Sequence, residues 1–134
     1  MTPTAEGKVT LRVEVAPNLA PCETDASRVE QILVNLVGNA IQHSPQGGEV
    51  ALLATPGDGK IVFTVENDGP GVPPAEVERI FDVYVSRKEG DGQGVGLGLP
   101  LSRRLARLLG GDLRAVPLAD RGRFVLELPA SLES

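Results

Sequence analysis

The run GVGLGLPLSRRLARLLGG, residues 94–111, constrains the fold more than any other part of the chain. Glycines at 90, 92, 94, 96 and 98 lead into a leucine- and arginine-rich segment, and Val95, Leu97 and Leu99 alternate with the last three of them. Solvent loops seldom alternate glycine with aliphatics, so this backbone is expected to lie against something. Bare N–H groups leading into a helix N-terminus form an anion site suited to a phosphate chain. The run lacks the Lys-Ser/Thr ending of a P-loop, and its glycines do not fit the G-x-G-x-x-G spacing, so neither familiar nucleotide fingerprint applies. The plain alternative is a flexible loop followed by a helix cap.

Elsewhere the pattern alternates between strand and helix. KVTLRVEV, residues 8–15, has period two and predicts a half-buried strand. After the proline-bearing loop APNLAPCET, Asp25 is placed to cap a helix over ASRVEQILVNLVGNAIQH, in which Val29, Ile32, Leu33, Leu36, Val37, Ala40 and Ile41 recur at helical spacing. EVALLAT and KIVFTVEN flank the turn PGDG and predict a hairpin. PAEVERIF predicts a short helix beginning at Pro74, and DVYVSRKEGDGQ a polar, mobile connection. Two last strands are expected near DLRAVPL and RFVLELP. The order predicts an α+β two-layer sandwich, a mixed sheet covered on one face by helices. The 134 residues read as a single domain over 1–134, with residues 1–7 a flexible tail. A net charge of -5 argues against a basic face for nucleic acid or a membrane surface. The single Cys22, which cannot pair internally, and the lack of a long apolar span predict a reducing, cytoplasmic setting.

Three groups of residues carry chemistry. Asn35 and Asn39 lie four apart on the long helix, about 40° apart around its axis. Asn is a poor helix-interior residue, and amide oxygens aimed at a cleft suit a hard cation such as Mg²⁺; surface amides are the alternative. In NDGPGV, Gly69 and Gly71 allow close backbone approach while Asp68 offers an acceptor-only carboxylate that would choose adenine over guanine, or else forms an ordinary Asp-Gly turn. The glycine run is the third group.

In order and spacing, QILVNLVGNAIQHS, VENDGPGV and IFDVYVSRKEGDGQGVGLGLPLSRRLARLLGG resemble the N, G1, F and G2 boxes of the ATP-binding catalytic domain of bacterial sensor histidine kinases. The resemblance spans Lys8 to Leu128. It implies the Bergerat ATP-binding fold shared with DNA gyrase, heat-shock protein 90 and mismatch-repair ATPases: a mixed five-stranded sheet with three helices. By that resemblance Asn39 binds Mg²⁺, and Asn35 helps position the metal, through water. Asp68 recognises adenine, over a floor shaped by Gly69 and Gly71 with Val72 beside them. Gly94, Gly96 and Gly98, with Val95, Leu97 and Leu99, wrap the phosphates of ATP. Phe81 and Tyr84 match the F box, which anchors the lid. Gln42 stands where many members carry Lys, and His43 where an aromatic stacks on the base. Arg87 and Lys88 of the lid are candidates to supply the missing charge. Arg103, Arg104 and Arg107 read as a solvated helix face.

The implied activity is transfer of the γ-phosphate of Mg-ATP to a histidine on a separate dimerisation and phosphoacceptor domain of the same parent protein, with a response regulator downstream. The alternative is a degenerate module that binds nucleotide or docks a partner. With Met1 so close to the first strand, the chain is expected to be a monomeric piece of a longer sensor, membrane-anchored or not, that itself touches neither nucleic acid nor membrane. A stand-alone ATPase of the gyrase type uses a glutamate one turn before the magnesium asparagine as general base. Position 35 is Asn, and an amide cannot take a proton from water at neutral pH. The isolated chain is therefore expected to bind ATP but hydrolyse it poorly; brisk phosphate release in a coupled assay would contradict this.

Overall fold

The computed structural model describes residues 9–17, 25–82 and 98–130. Its elements in chain order are β1 (Thr10–Val15), α1 (Ala26–His43), β2 (Glu49–Pro56), β3 (Lys60–Asp68), two 3-10 turns (Pro74–Glu76 and Arg79–Phe81), α2 (Gly98–Leu108), β4 (Asp112–Ala115) and β5 (Arg121–Pro129). The five strands form one mixed sheet in the order β1-β2-β3-β5-β4. β1 runs parallel to β2, and every other pair is antiparallel. The parallel pair needs a crossover, and α1 supplies it.

Local chemistry sets the ends of α1. The Asp25 carboxylate accepts hydrogen bonds from the Ser27 and Arg28 amides at 3.1 and 3.2 Å, satisfying donors that the first turn leaves free. At the other end Ser44 caps the helix, its hydroxyl donating to the Ala40 carbonyl at 3.0 Å. α2 closes in a Schellman motif, the Gly111 and Gly110 amides donating to the carbonyls of Ala106 and Arg107.

The core lies between the helices and one face of the sheet. Ile32, Leu36 and Ala40 of α1 and Leu105 and Ala106 of α2 meet Val50, Val65, Leu113, Phe124, Leu126 and Leu128. Register joins these inward residues across strands: Val50 opposes Asn67, Val65 opposes Phe124, and Leu113 opposes Leu126. Phe81 meets Phe124 edge to face, with ring centres 6.3 Å apart. The other face of the sheet carries two charged clusters. Glu66 accepts from Arg121 and Arg123 at 3.1 and 2.6 Å, and Glu127 accepts from Lys60 and Arg114 at 3.1 and 2.9 Å. Hydrogen bonds from Arg114 and then Lys60 hold the Glu127 carboxyl below the usual range.

The mixed five-stranded sheet with helices on one face agrees with the sequence reading, and three local expectations change. β1 is exposed rather than half-buried, with Leu11, Val13 and Val15 at 47, 56 and 63%. It is an edge strand, and α1 lies over β2 and β3. The segment from Pro74 to Phe81 forms its two 3-10 turns instead of one continuous helix, closed by the bonds Glu76 N–H to Pro73 and Phe81 N–H to Glu78. Eight residues are too few to sustain an α-helix without strong packing. β4 stops at Ala115, ahead of Pro117, which has no N–H to donate to the ladder. The expected tail at residues 1–7 lies outside the described residues.

Leu126 is fully buried, while Leu108 is 63% exposed. Leu126→Ala should therefore cost about 2–5 kcal/mol in urea unfolding, and Leu108→Ala no more than about 0.5 kcal/mol.

Candidate functional site

Burial of the Ile32, Leu36 and Ala40 stripe leaves α1 two free flanks. One carries Asn35 and Asn39, both partly buried, so the asparagines are not freely solvated surface amides. The Asn35 side-chain N–H donates to the Ser102 hydroxyl of α2 at 3.1 Å. A side-chain carbon at position 98 would stand 4.0 Å from Asn35 Cγ, so the first turn of α2 faces Asn35. One turn along, the Asn39 carbonyl lies 2.8 Å from His43 Nδ1. The His43 carbonyl in turn approaches Gly69, whose φ of 119° only glycine adopts readily. The loop after β3 thus closes the far end. A strip of polar groups and bare backbone runs beside α1, from Gly98 past Asn35 and Asn39 to Gly69, and Asn35 to His43 spans about 12 Å of helix rise.

The same geometry separates the two polar side chains at the end of β3. Period-two alternation turns Ile61, Phe63, Val65 and Asn67 toward the helices and Val62, Thr64, Glu66 and Asp68 the other way. Asp68, expected to read adenine, accepts from the Glu49 amide at 2.9 Å at the start of β2, on the opposite side of the strand from Asn67. Asn67 is the polar side chain on the cleft side, only 7% exposed. Its Nδ2 donates to the Asp68 carbonyl at 2.7 Å. Its register partner Gly122 leaves room for Oδ1, which a side chain there would overlap. At Gly71 a side chain would overlap the carbonyl oxygens of Leu118 and Arg121, so the backbone there can pass only as glycine. Val72 and Leu99 are partly buried against the core. Gln42 and His43 are exposed. Tyr84, Arg87, Lys88, Gly94, Val95, Gly96 and Leu97 lie outside the described residues.

The model of the histidine kinase-, DNA gyrase B- and HSP90-like ATPases matches residues 24–132. The chain belongs to this family. Among curated proteins it is 34% identical over 125 residues to the alginate biosynthesis sensor protein KinB of Pseudomonas aeruginosa, covering 91% of this chain and 20% of KinB. It is 40% identical over 113 residues to the sensor protein ChvG of Rhizobium meliloti, covering 77% of this chain and 20% of ChvG. The chain thus spans about a fifth of the length of these relatives. Its fold matches the catalytic domain of the histidine kinase ThkA at TM-score 0.84 and 27% identity, covering 96% of this chain and 84% of that one. Full-length ShkA in complex with AMPPNP matches at TM-score 0.80 and 33% identity, covering 93% of this chain and 26% of that one. The five-stranded sheet and its helical layer are those of a histidine kinase ATP-binding domain.

Three residues matter in this kinase-type domain that the sequence reading passed over or misjudged. Asn67 was legible in the alternation of its strand. Ser102 was legible at helical spacing from Leu105 and Ala106, and it is fully buried. Arg103, expected in a solvated face, has only 11% of its side chain exposed. Its guanidinium stands 4.2 Å from the centre of the Phe81 ring and grips Glu78 with two hydrogen bonds of 2.8 and 3.1 Å. Nε is buried 3.8 Å from Asp112 Oδ1, too far for a hydrogen bond. Arg107 completes the cluster with a 2.8 Å bond to the same Asp112 oxygen. At Asp112 burial pushes the carboxyl upward, but the bonds from Arg107 and the Leu113 amide outweigh it and leave it below the ordinary range. Arg103 thereby ties α2 to the turn that ends in Phe81.

On the other flank of α1 lies a groove of about 630 Å³, lined by Val29, Leu33, Val37, Ile41, Leu52 and Phe63. Among the described residues its lining is apolar apart from Glu30, so the polar strip is the better candidate for a charged ligand.

The Arg103 hydrogen bond, then its charge, holds the Glu78 carboxyl below the usual range. A depressed carboxylate contributes stability above its unfolded pKa of about 4.3 and loses it as the pH falls through the folded value. Comparing wild type with Glu78→Gln by urea unfolding, the stability difference should be present at neutral pH and narrow as the pH falls below the carboxylate range. A difference independent of pH would exclude the ion pair as its source.

Proposed function

We propose that the chain is the ATP-binding catalytic part of a sensor histidine kinase in two-component signalling. In this reading it holds Mg-ATP along the polar flank of α1 and presents the γ-phosphate to a histidine on a separate dimerisation domain of the parent protein. A response regulator acts downstream. The observation that carries the reading is the gathering of Asn35, Asn39 and Asn67 with the first turn of α2 beside a single helix, in a chain of this ATPase family. The AMPPNP complex of the similar kinase ShkA supports a nucleoside triphosphate as ligand.

The residues present suit such a ligand. Amide oxygens are hard, neutral donors for Mg²⁺, which keeps most of its water and leans on substrate phosphates. Asn39 would hold the metal and Asn35 its water, while the open backbone at Gly98 meets the phosphates. When bound, the metal neutralises phosphate charge during transfer. At the base end Asn67 takes the part first given to Asp68. Its Nδ2 is engaged by the Asp68 carbonyl, so Oδ1 is the end offered to an exocyclic amino group. The chain's contribution is mainly positioning and charge placement, which phosphoryl transfer chiefly requires. His43, the sole histidine, hydrogen-bonds within its own helix at the base end and is a poor phosphate acceptor there.

Calorimetric titration with AMPPNP, with and without Mg²⁺, tests the assignment. Asn39→Ala should weaken Mg-dependent binding about tenfold. Asn67→Ala should weaken binding about tenfold in both conditions, and Asp68→Ala should change it less than about twofold. Loss on Asp68→Ala with an unaffected Asn67→Ala would return the base contact to Asp68. Adding the parent's histidine-bearing fragment and ATP should yield an acid-labile, base-stable phosphoryl label on that fragment. Its absence, with binding intact, would favour a nucleotide-binding module without transfer.

A further inference from the structure

Ser102 is fully buried, on the same stripe of α2 as Leu105 and Ala106. A buried hydroxyl destabilises a fold unless it is hydrogen-bonded, and here it accepts from Asn35 Nδ2 across the seam between the helices, at 3.1 Å. Two consequences follow for the polar strip. The Asn35 amide has one donor end and one acceptor end. With Nδ2 engaged, Oδ1 is the end without a hydrogen bond among the described residues. A cation or its water needs that oxygen. The bond also fixes where α2 begins relative to α1. Ser102 lies one helical turn after Gly98, where an added side-chain carbon would stand 4.0 Å from Asn35 Cγ.

We propose that Ser102 is a positioning residue for the metal and phosphate end of the site, acting through Asn35. It orients the Asn35 amide with its oxygen outward and holds the first turn of α2 at the distance that lets both meet one ligand. The assignment rests on the Mg-ATP reading of the cleft. Its distinguishing consequence is that loss of the Ser102 hydroxyl weakens the magnesium-dependent part of nucleotide binding and spares the metal-free part.

The test uses the full chain and AMPPNP, titrated in excess MgCl₂ and in EDTA, for wild type, Ser102→Ala, Ser102→Cys, Asn35→Ala and the Asn35→Ala/Ser102→Ala double variant. Ser102→Cys leaves no cavity and puts a somewhat larger, weaker acceptor in the same place, so it decides the matter if Ser102→Ala does not fold. Affinity in MgCl₂ should fall about tenfold for Ser102→Ala and less for Ser102→Cys, with affinity in EDTA changed less than about twofold. The double variant should bind no worse than Asn35→Ala alone, because Ser102 acts only through that amide. Three results would overturn the proposal: Mg-dependent affinity unchanged in both Ser102 variants, equal losses in MgCl₂ and EDTA, or losses that multiply in the double variant. Failure of the wild type to bind AMPPNP would instead remove the nucleotide reading itself, and this assignment with it.

Discussion

The seam of α1 on the sheet governs everything else in this molecule. Ile32, Leu36 and Ala40 can be buried together only if α1 lies with one stripe down. That single choice turns Asn35 and Asn39 toward α2 and the end of β3, and turns Val34 and the apolar groove to the opposite side. The driving force is non-directional burial, but its product is directional, because helix periodicity converts one buried stripe into two chemically different flanks.

Polar contacts refine what burial establishes. Ser102 and Asn35 lock the two helices at the strip, while Arg103 ties α2 to the turn ending in Phe81. These links differ in kind from the ion pairs on the open sheet face. Glu66 and Glu127 each sit between two cations at a partly exposed site, where water and salt weaken the attraction. The Arg103 side chain is nearly enclosed and lies against a ring face, while its partner Glu78 is 73% exposed, so the stacking on Phe81 is what the enclosure shields, and the ion pair itself remains open to water. Since β4 follows α2 directly, the Asp112 contacts bring the start of that strand into the same cluster.

How much of this was readable depends on the residue. The strip's asparagines on α1 were legible because apolar spacing alone defines the helix faces. Asn67 was equally legible, since Ile61, Phe63 and Val65 mark its face, although the neighbouring carboxylate makes Asp68 the more conspicuous acceptor of the Asn-Asp-Gly turn. The charge was in the sequence; the direction of the side chain came from strand alternation. Arg103 was not legible. Three arginines on one helix have the same composition whether solvated or buried, and only the arrival of Phe81 and Glu78 from the preceding turn separates Arg103 from its neighbours. β1 erred in the other direction, because alternation reveals a face without telling whether anything covers it.

Sequence alone determined the order of elements, the inward stripes and the four boxes that identify a histidine kinase-type ATP-binding chain. These are local or periodic properties, and each is encoded within one turn, one helix or one strand. Tertiary structure decided which polar groups share a cleft: that Asn35 meets Ser102 across 67 positions of chain, that Asp68 binds the start of β2 while Asn67 faces inward, and that Arg103 lies over Phe81. Such pairings depend on how far each helix is rotated and shifted over the sheet. That is set by packing the whole core at once, which no short stretch of sequence contains.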